Sequence, residues 1–148
     1  MEKPVDIKAL NQVLRDELSA VETYHQALDK NRQQYGQDAR FMQLDQMCRD
    51  HEQTAQQLRS MIRSMGGTES QDSGAWGTWA KTVMGTAKLL GDKAALKALK
   101  EGEESGIKDY EDVLQNRTAP PDVQSLLSAM ISKSQEHVRA LDRLIETA

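Results

Sequence analysis

The sequence predicts an all-α fold, a four-helix bundle built from two pseudo-twofold-related helical hairpins, and three observations carry that prediction. The stretch LRDELSAVETYHQAL, residues 14–28, returns 86 positions later as KEGEESGIKDYEDVL, so that Glu17, Val21, Tyr24 and Leu28 fall on Glu103, Ile107, Tyr110 and Leu114. The same shift carries Asp50, His51 and Leu58 onto Glu136, His137 and Leu144. Apolar residues recur three and four apart through four stretches, the spacing of a helix with one buried face. No stretch alternates apolar and polar residues between turn signals as a strand would.

Taken in order, the first helix is expected over about 5–31, opened by Pro4 and Asp6. The polar turn NRQQYGQD leads to a second helix over about 38–65, which Gly66-Gly67 ends. The breaker-rich TESQDSGA follows, and then WGTWAKTVMGTAKLL, residues 76–90, with Trp76, Trp79, Val83 and Leu90 at helical spacing. A short helix packed across the bundle is expected there, and a partner-binding patch has the same signature. The link from Gly66 to Asp92 is long enough to cross the bundle, which would make the second and third helices parallel. The third helix is expected over about 92–116 with Asp92 as a cap, and the fourth over about 120–147 from Pro120-Pro121-Asp122.

The four apolar stripes locate a site. The first reads Ile7, Leu10, Leu14, Glu17, Val21, Tyr24, Leu28, and the second Phe41, Leu44, Cys48, His51, Ala55, Leu58, Ile62, Met65. The third reads Leu96, Leu99, Glu103, Ile107, Tyr110, Leu114, and the fourth Val123, Leu127, Met130, Ser134, His137, Leu141, Leu144. Tyrosine hydroxyls and the Cys48 thiol aside, the ionisable groups on these seams are Glu17, His51, Glu103 and His137. Glu17 and His51 are centred on their turn, and Glu103 and His137 on theirs, which sets all four at one height in antiparallel pairs. Buried there, each costs several kcal/mol unless it is paired, protonated or bound to a metal. Tyr24 and Tyr110 lie about two turns further along and lean back toward the same height.

Composition narrows the function. A chain of 148 residues suffices for one well-buried domain, and its modest 38% hydrophobic content suits a narrow helical seam. A net charge of -4 without a Lys/Arg cluster argues against nucleic-acid binding. The single cysteine, Cys48, excludes an internal disulfide framework and reads as a small core hydrophobe. His25 lies just off its stripe, where an edge position is expected rather than a ligand. With no signal-peptide core and no stretch near the ~18 apolar residues of a membrane span, a soluble cytoplasmic protein is expected.

LNQVLRDELSAVETYHQAL resembles the first helix of bacterioferritin- and rubrerythrin-type proteins, where the Glu is a metal ligand and the Tyr seven residues on stands beside the site. The Glu of the third helix and the His of the second and fourth are likewise similar to the ferritin-like superfamily. GDKAALKALKEGEESGIKDYEDVL with the preceding GG…W…W segment resembles more closely a bacterial ferritin-like family catalogued only as a domain of unknown function. That resemblance implies a metal-handling or stress-response protein. The resemblance to ferritin-like di-iron enzymes also implies a Glu-x-x-His motif on the second and fourth helices, and here the motif's Glu positions hold Cys48 in CRDH and Ser134 in SQEH. Asp50 and Glu136 do not replace them simply, because neighbours on a helix point about 100° apart. The Glu17, His51, Glu103, His137 set therefore suits one zinc, iron or manganese ion better than a di-iron oxidase centre. The competing expectation is a non-catalytic bundle with buried Glu–His pairs that associates with itself or a partner through the Trp76–Trp79 segment.

Overall fold

A computed structural model describes residues 3–71, 90 and 93–148. Trp76, Trp79 and the proposed cap Asp92 lie outside the described residues. The fold is all-α. Its elements in order are β1 (Lys3–Pro4), α1 (Ile7–Asp29), α2 (Arg32–Tyr35), α3 (Ala39–Ser64), α4 (Lys93–Asn116), β2 (Arg117–Thr118) and α5 (Pro121–Thr147).

The helix ends follow from local chemistry. Asp6 caps α1 by accepting the Ala9 N–H at 2.8 Å, and Pro121 with Asp122 fills the first turn of α5. At the end of α3, Gly66 adopts a φ of 83°, which an L-residue with a Cβ resists, and the chain reverses there. The N–H groups of Gly66 and Gly67 bond back to the carbonyls of Arg63 and Ile62, so the last turn keeps its acceptors satisfied. Two features go beyond the sequence expectation. The turn after α1 folds into the four-residue α2, and residues 3–4 pair in parallel with 117–118, reinforced by Val5 N–H donating to Thr118 O at 2.7 Å.

Pairs of cross-helix contacts fix the directions. Tyr24 reaches Glu103 while Tyr110 reaches Glu17, so α1 and α4 are antiparallel. Tyr24 also meets Met47 while Glu17 meets His51, so α1 and α3 are antiparallel too. Consequently α3 and α4 run parallel. The main packing is α1 along α3 and α4 along α5.

The apolar interior forms two clusters. One gathers Leu28, Phe41, Leu44, Leu96, Leu99, Leu141 and Leu144 with Tyr24, and the other gathers Leu10, Leu14, Leu58, Ile62, Val123, Leu127 and Met130 with Tyr110. Leu14, Leu58, Leu99 and Leu141 are each fully buried. The buried face of α1 is broader than the expected stripe: Val13, Ala20, Thr23 and Ala27 join it, while Ile7 and Val21 are half-buried. Ile107 and Leu114 are also half-buried, and Met65, past the end of α3, is exposed. Leu58→Ala should cost roughly 2–5 kcal/mol, because the removed methyl groups leave a cavity that two rigid helices cannot fully close. A urea titration checks it, and a loss well under 1 kcal/mol would mean that the seam yields. Among the described residues no helix is long and apolar enough to cross a membrane.

Candidate metal centre

Between the two apolar clusters lies a polar layer. Glu17 on α1, His51 on α3, Glu103 on α4 and His137 on α5 are all at least 95% buried. His51 bridges two helices: its Nδ1 stands 2.6 Å from Glu17 Oε2 and its Nε2 2.6 Å from Glu103 Oε1. His137 Nδ1 stands 3.0 Å from the same Glu103 oxygen, and its Nε2 lies 2.9 Å from Asp50 Oδ2. The tyrosines close the layer from either side. Tyr24 donates to Glu103 Oε1 and Tyr110 to Glu17 Oε1, each at 2.8 Å.

The sequence repeat shows through this geometry, and so does its breakdown. The His51–Glu17 and His137–Glu103 contacts are twofold equivalents, as are the two tyrosine bonds. The outer nitrogens differ: His51 turns to Glu103, whereas His137 turns to Asp50. Helix geometry keeps Asp50 from standing where the missing Glu would. That carboxylate enters instead from α3 as the outer partner of the α5 histidine. Its repeat mate Glu136 is exposed and pairs with Lys133. The matched positions Cys48 and Ser134 also diverge. Ser134 lines a narrow cavity with His51, Glu103 and Tyr110, while the Cys48 sulfur lies with Glu52.

A Cβ at Gly106 would stand 3.4 Å from the Tyr110 hydroxyl, an ordinary van der Waals contact.

Charge is unevenly spread in the layer. Burial presses His51 toward its neutral form, but the charges of Glu103 and Glu17 and the hydrogen bonds to both outweigh it and hold His51 well above the ordinary histidine value. Burial would raise Glu103, yet the charge of His51 and the bonds from His137 and His51 hold it well below the usual carboxylate range. Burial, then the adjacent Glu103 and Glu17 carboxylates, push Tyr24 and Tyr110 up, so both hydroxyls stay donors. One Glu103 oxygen accepts three contacts while the other, Oε2, is buried without a hydrogen-bond partner. Beside the layer, burial and the neighbouring Asp109 and Glu17 push Asp16 up to about 7.

His51, Glu103 and His137 bring one donor atom each to within 4.8 Å of one another, so they could hold a metal ion. Glu17 is outside that set of three and reaches it through His51. Fold and site together define an all-helical protein whose core is crossed by a buried glutamate–histidine layer. Residues 5–116 match the family described as domain of unknown function DUF2383, and the chain belongs to that family. No curated protein and no solved structure matches the chain.

Proposed function

We propose that the protein is a ferritin-like four-helix bundle of two pseudo-twofold-related hairpins that binds a single zinc, iron or manganese ion in its polar layer, in metal handling rather than oxidase chemistry. His51, Glu103 and His137 would supply the donors, Glu17 would complete the set, and Tyr24 and Tyr110 would orient the carboxylates. The observation that carries this reading is Glu103 Oε2, a buried carboxylate oxygen with no partner beside two imidazoles. Such an orphan is costly in a dry core, and a cation relieves it. Imidazole and carboxylate donors suit all three ions. What the ion would supply there is charge neutralisation and Lewis acidity.

A second reading has its own observation. The 2.6 Å contacts of His51 are hydrogen-bond distances, whereas donors around one tetrahedral zinc stand about 3.3 Å apart. The layer would then be a permanent ion-pair network that sets helix register. Titrating metal-free protein with zinc, iron(II) and manganese(II) while following Tm separates the two, since a ligand that binds only the folded state raises Tm. At least one ion should raise Tm with one equivalent bound per chain, and His51→Gln should abolish that stoichiometric binding. No shift with any of the three ions would leave the network reading standing.

A further inference from the structure

A second cluster of ligating groups lies at the edge of the α1–α3 pair. Cys48 and Glu52 are one turn apart on α3, so their side chains share a face. The antiparallel α1 brings His25 to the same place. Cys48 Sγ stands 3.4 Å from Glu52 Oε1, and His25 Nε2 stands 3.2 Å from that same oxygen. All three donor atoms lie within 4.8 Å of one another. We propose that His25, Cys48 and Glu52 form a thiolate-containing site for a zinc-like divalent cation, separate from the polar layer.

Three features support this assignment. Donors around a tetrahedral zinc with one thiolate stand about 3.3–3.6 Å apart, close to the 3.4 Å and 3.2 Å that separate Glu52 Oε1 from the Cys48 sulfur and the His25 nitrogen. The cysteine is buried while the His25 and Glu52 side chains are nearly half exposed, at 47% and 46%. An ion would thus rest on a dry sulfur and two solvent-facing donors, with a fourth position open to water. The cluster is also unrepeated, since the 86-residue offset places Glu111, Ser134 and Val138 at the corresponding positions. The packing of either hairpin does not require it.

The thiol must lose its proton to bind. Burial, then the bond to Glu52 and its charge, push the Cys48 thiol well above its ordinary value, so the metal-free sulfur is an S–H that donates to Glu52. Binding replaces that S–H bond with a sulfur–metal bond and releases the proton to solvent, with no change of oxidation state. The same protonated state makes the free thiol a poor nucleophile.

Cobalt(II) is the probe, because a thiolate bound to it gives a near-ultraviolet charge-transfer band that nitrogen and oxygen donors do not. Cys48 is the only cysteine in the chain, so the band can arise nowhere else in it. Reduced, metal-free full-length protein should develop the band to saturation at one cobalt per chain and lose it when zinc is added. Cys48→Ser should abolish it, and His51→Gln, which disables the polar layer, should leave it. Removing an outer-shell partner already lowers metal affinity about 10–100-fold, so His25→Gln and Glu52→Gln should each weaken cobalt binding at least tenfold. Both side chains are half exposed, and circular dichroism of each variant verifies the fold. No band in folded protein saturated with cobalt would overturn the site. So would a band whose affinity is unchanged by both substitutions, or one that grows with protein concentration because two chains share the ion.

Discussion

Glu103→Gln should be among the most destabilising single substitutions in the chain, costing about 3–5 kcal/mol in metal-free protein, because it removes one partner of a buried ionic cluster and leaves the others. Glu103 Oε1 holds Tyr24, His51 and His137 together across four helices. An amide can still accept one or two of those bonds, but it removes the negative charge that keeps His51 protonated. Replacing Glu17, His51, Glu103 and His137 together by leucine, with Tyr24 and Tyr110 changed to phenylalanine so that neither buried hydroxyl loses its acceptor, should behave differently. Exchanging a whole buried ionic group for apolar residues of similar volume is often neutral, or stabilising by about 1–4 kcal/mol. Urea unfolding of both variants measures the contrast. A loss under about 1 kcal/mol for Glu103→Gln would mean that water reaches the layer and screens it.

The metal-free protein should be most stable on the acid side of neutrality and should weaken steadily as pH rises through 7. Three groups set the profile. Glu103, held below its ordinary 4.5, contributes stability that is fully present above that value and is lost as pH falls. Asp16 is raised from 3.8 to about 7, so its contribution is full below 3.8 and disappears as pH rises through 7. His51 is raised above 6.5, so its contribution is full below 6.5 and fades above it. The groups facing His51 are Glu17 from α1, Glu103 from α4 and His137 from α5, with Tyr24 beside its ring. Chemical unfolding between about pH 4 and 9 in the presence of a chelator gives the curve. His51→Gln should remove the decline above 6.5, and Asp16→Asn the decline between about 4 and 7. Stability that rises from pH 5 to 8 would contradict the protonation assigned to His51 and Asp16. Added metal should reverse the trend, because the ion competes with protons for the same imidazole.

The four long helices, their ends and the burial of Glu17, His51, Glu103 and His137 were legible in the sequence because all three are local or periodic properties. Asp6, Gly66 and Pro121 act on their own turns, and a charged residue on an apolar seam must lie where the seam lies. Periodicity gives an angle around one helix to within tens of degrees, and this explains the misjudged edges: Val21 and Ile107 are half-buried, while Val13 and Ala27 complete the inner face of α1. The tertiary structure alone decided how the layer is wired. In sequence the two halves are equivalent, but an imidazole has only two nitrogens, and the second nitrogen of His51 reaches across the bundle from α3 to Glu103 on α4. That leaves His137 to find its outer partner in Asp50 on a different helix, 87 residues away. It also separates Cys48 from its repeat mate Ser134, setting the thiol beside Glu52 and His25 rather than in the cavity lined by His51. Such pairings depend on helix–helix distance and on which rotamer neighbouring side chains leave open, and no spacing along a single helix contains either.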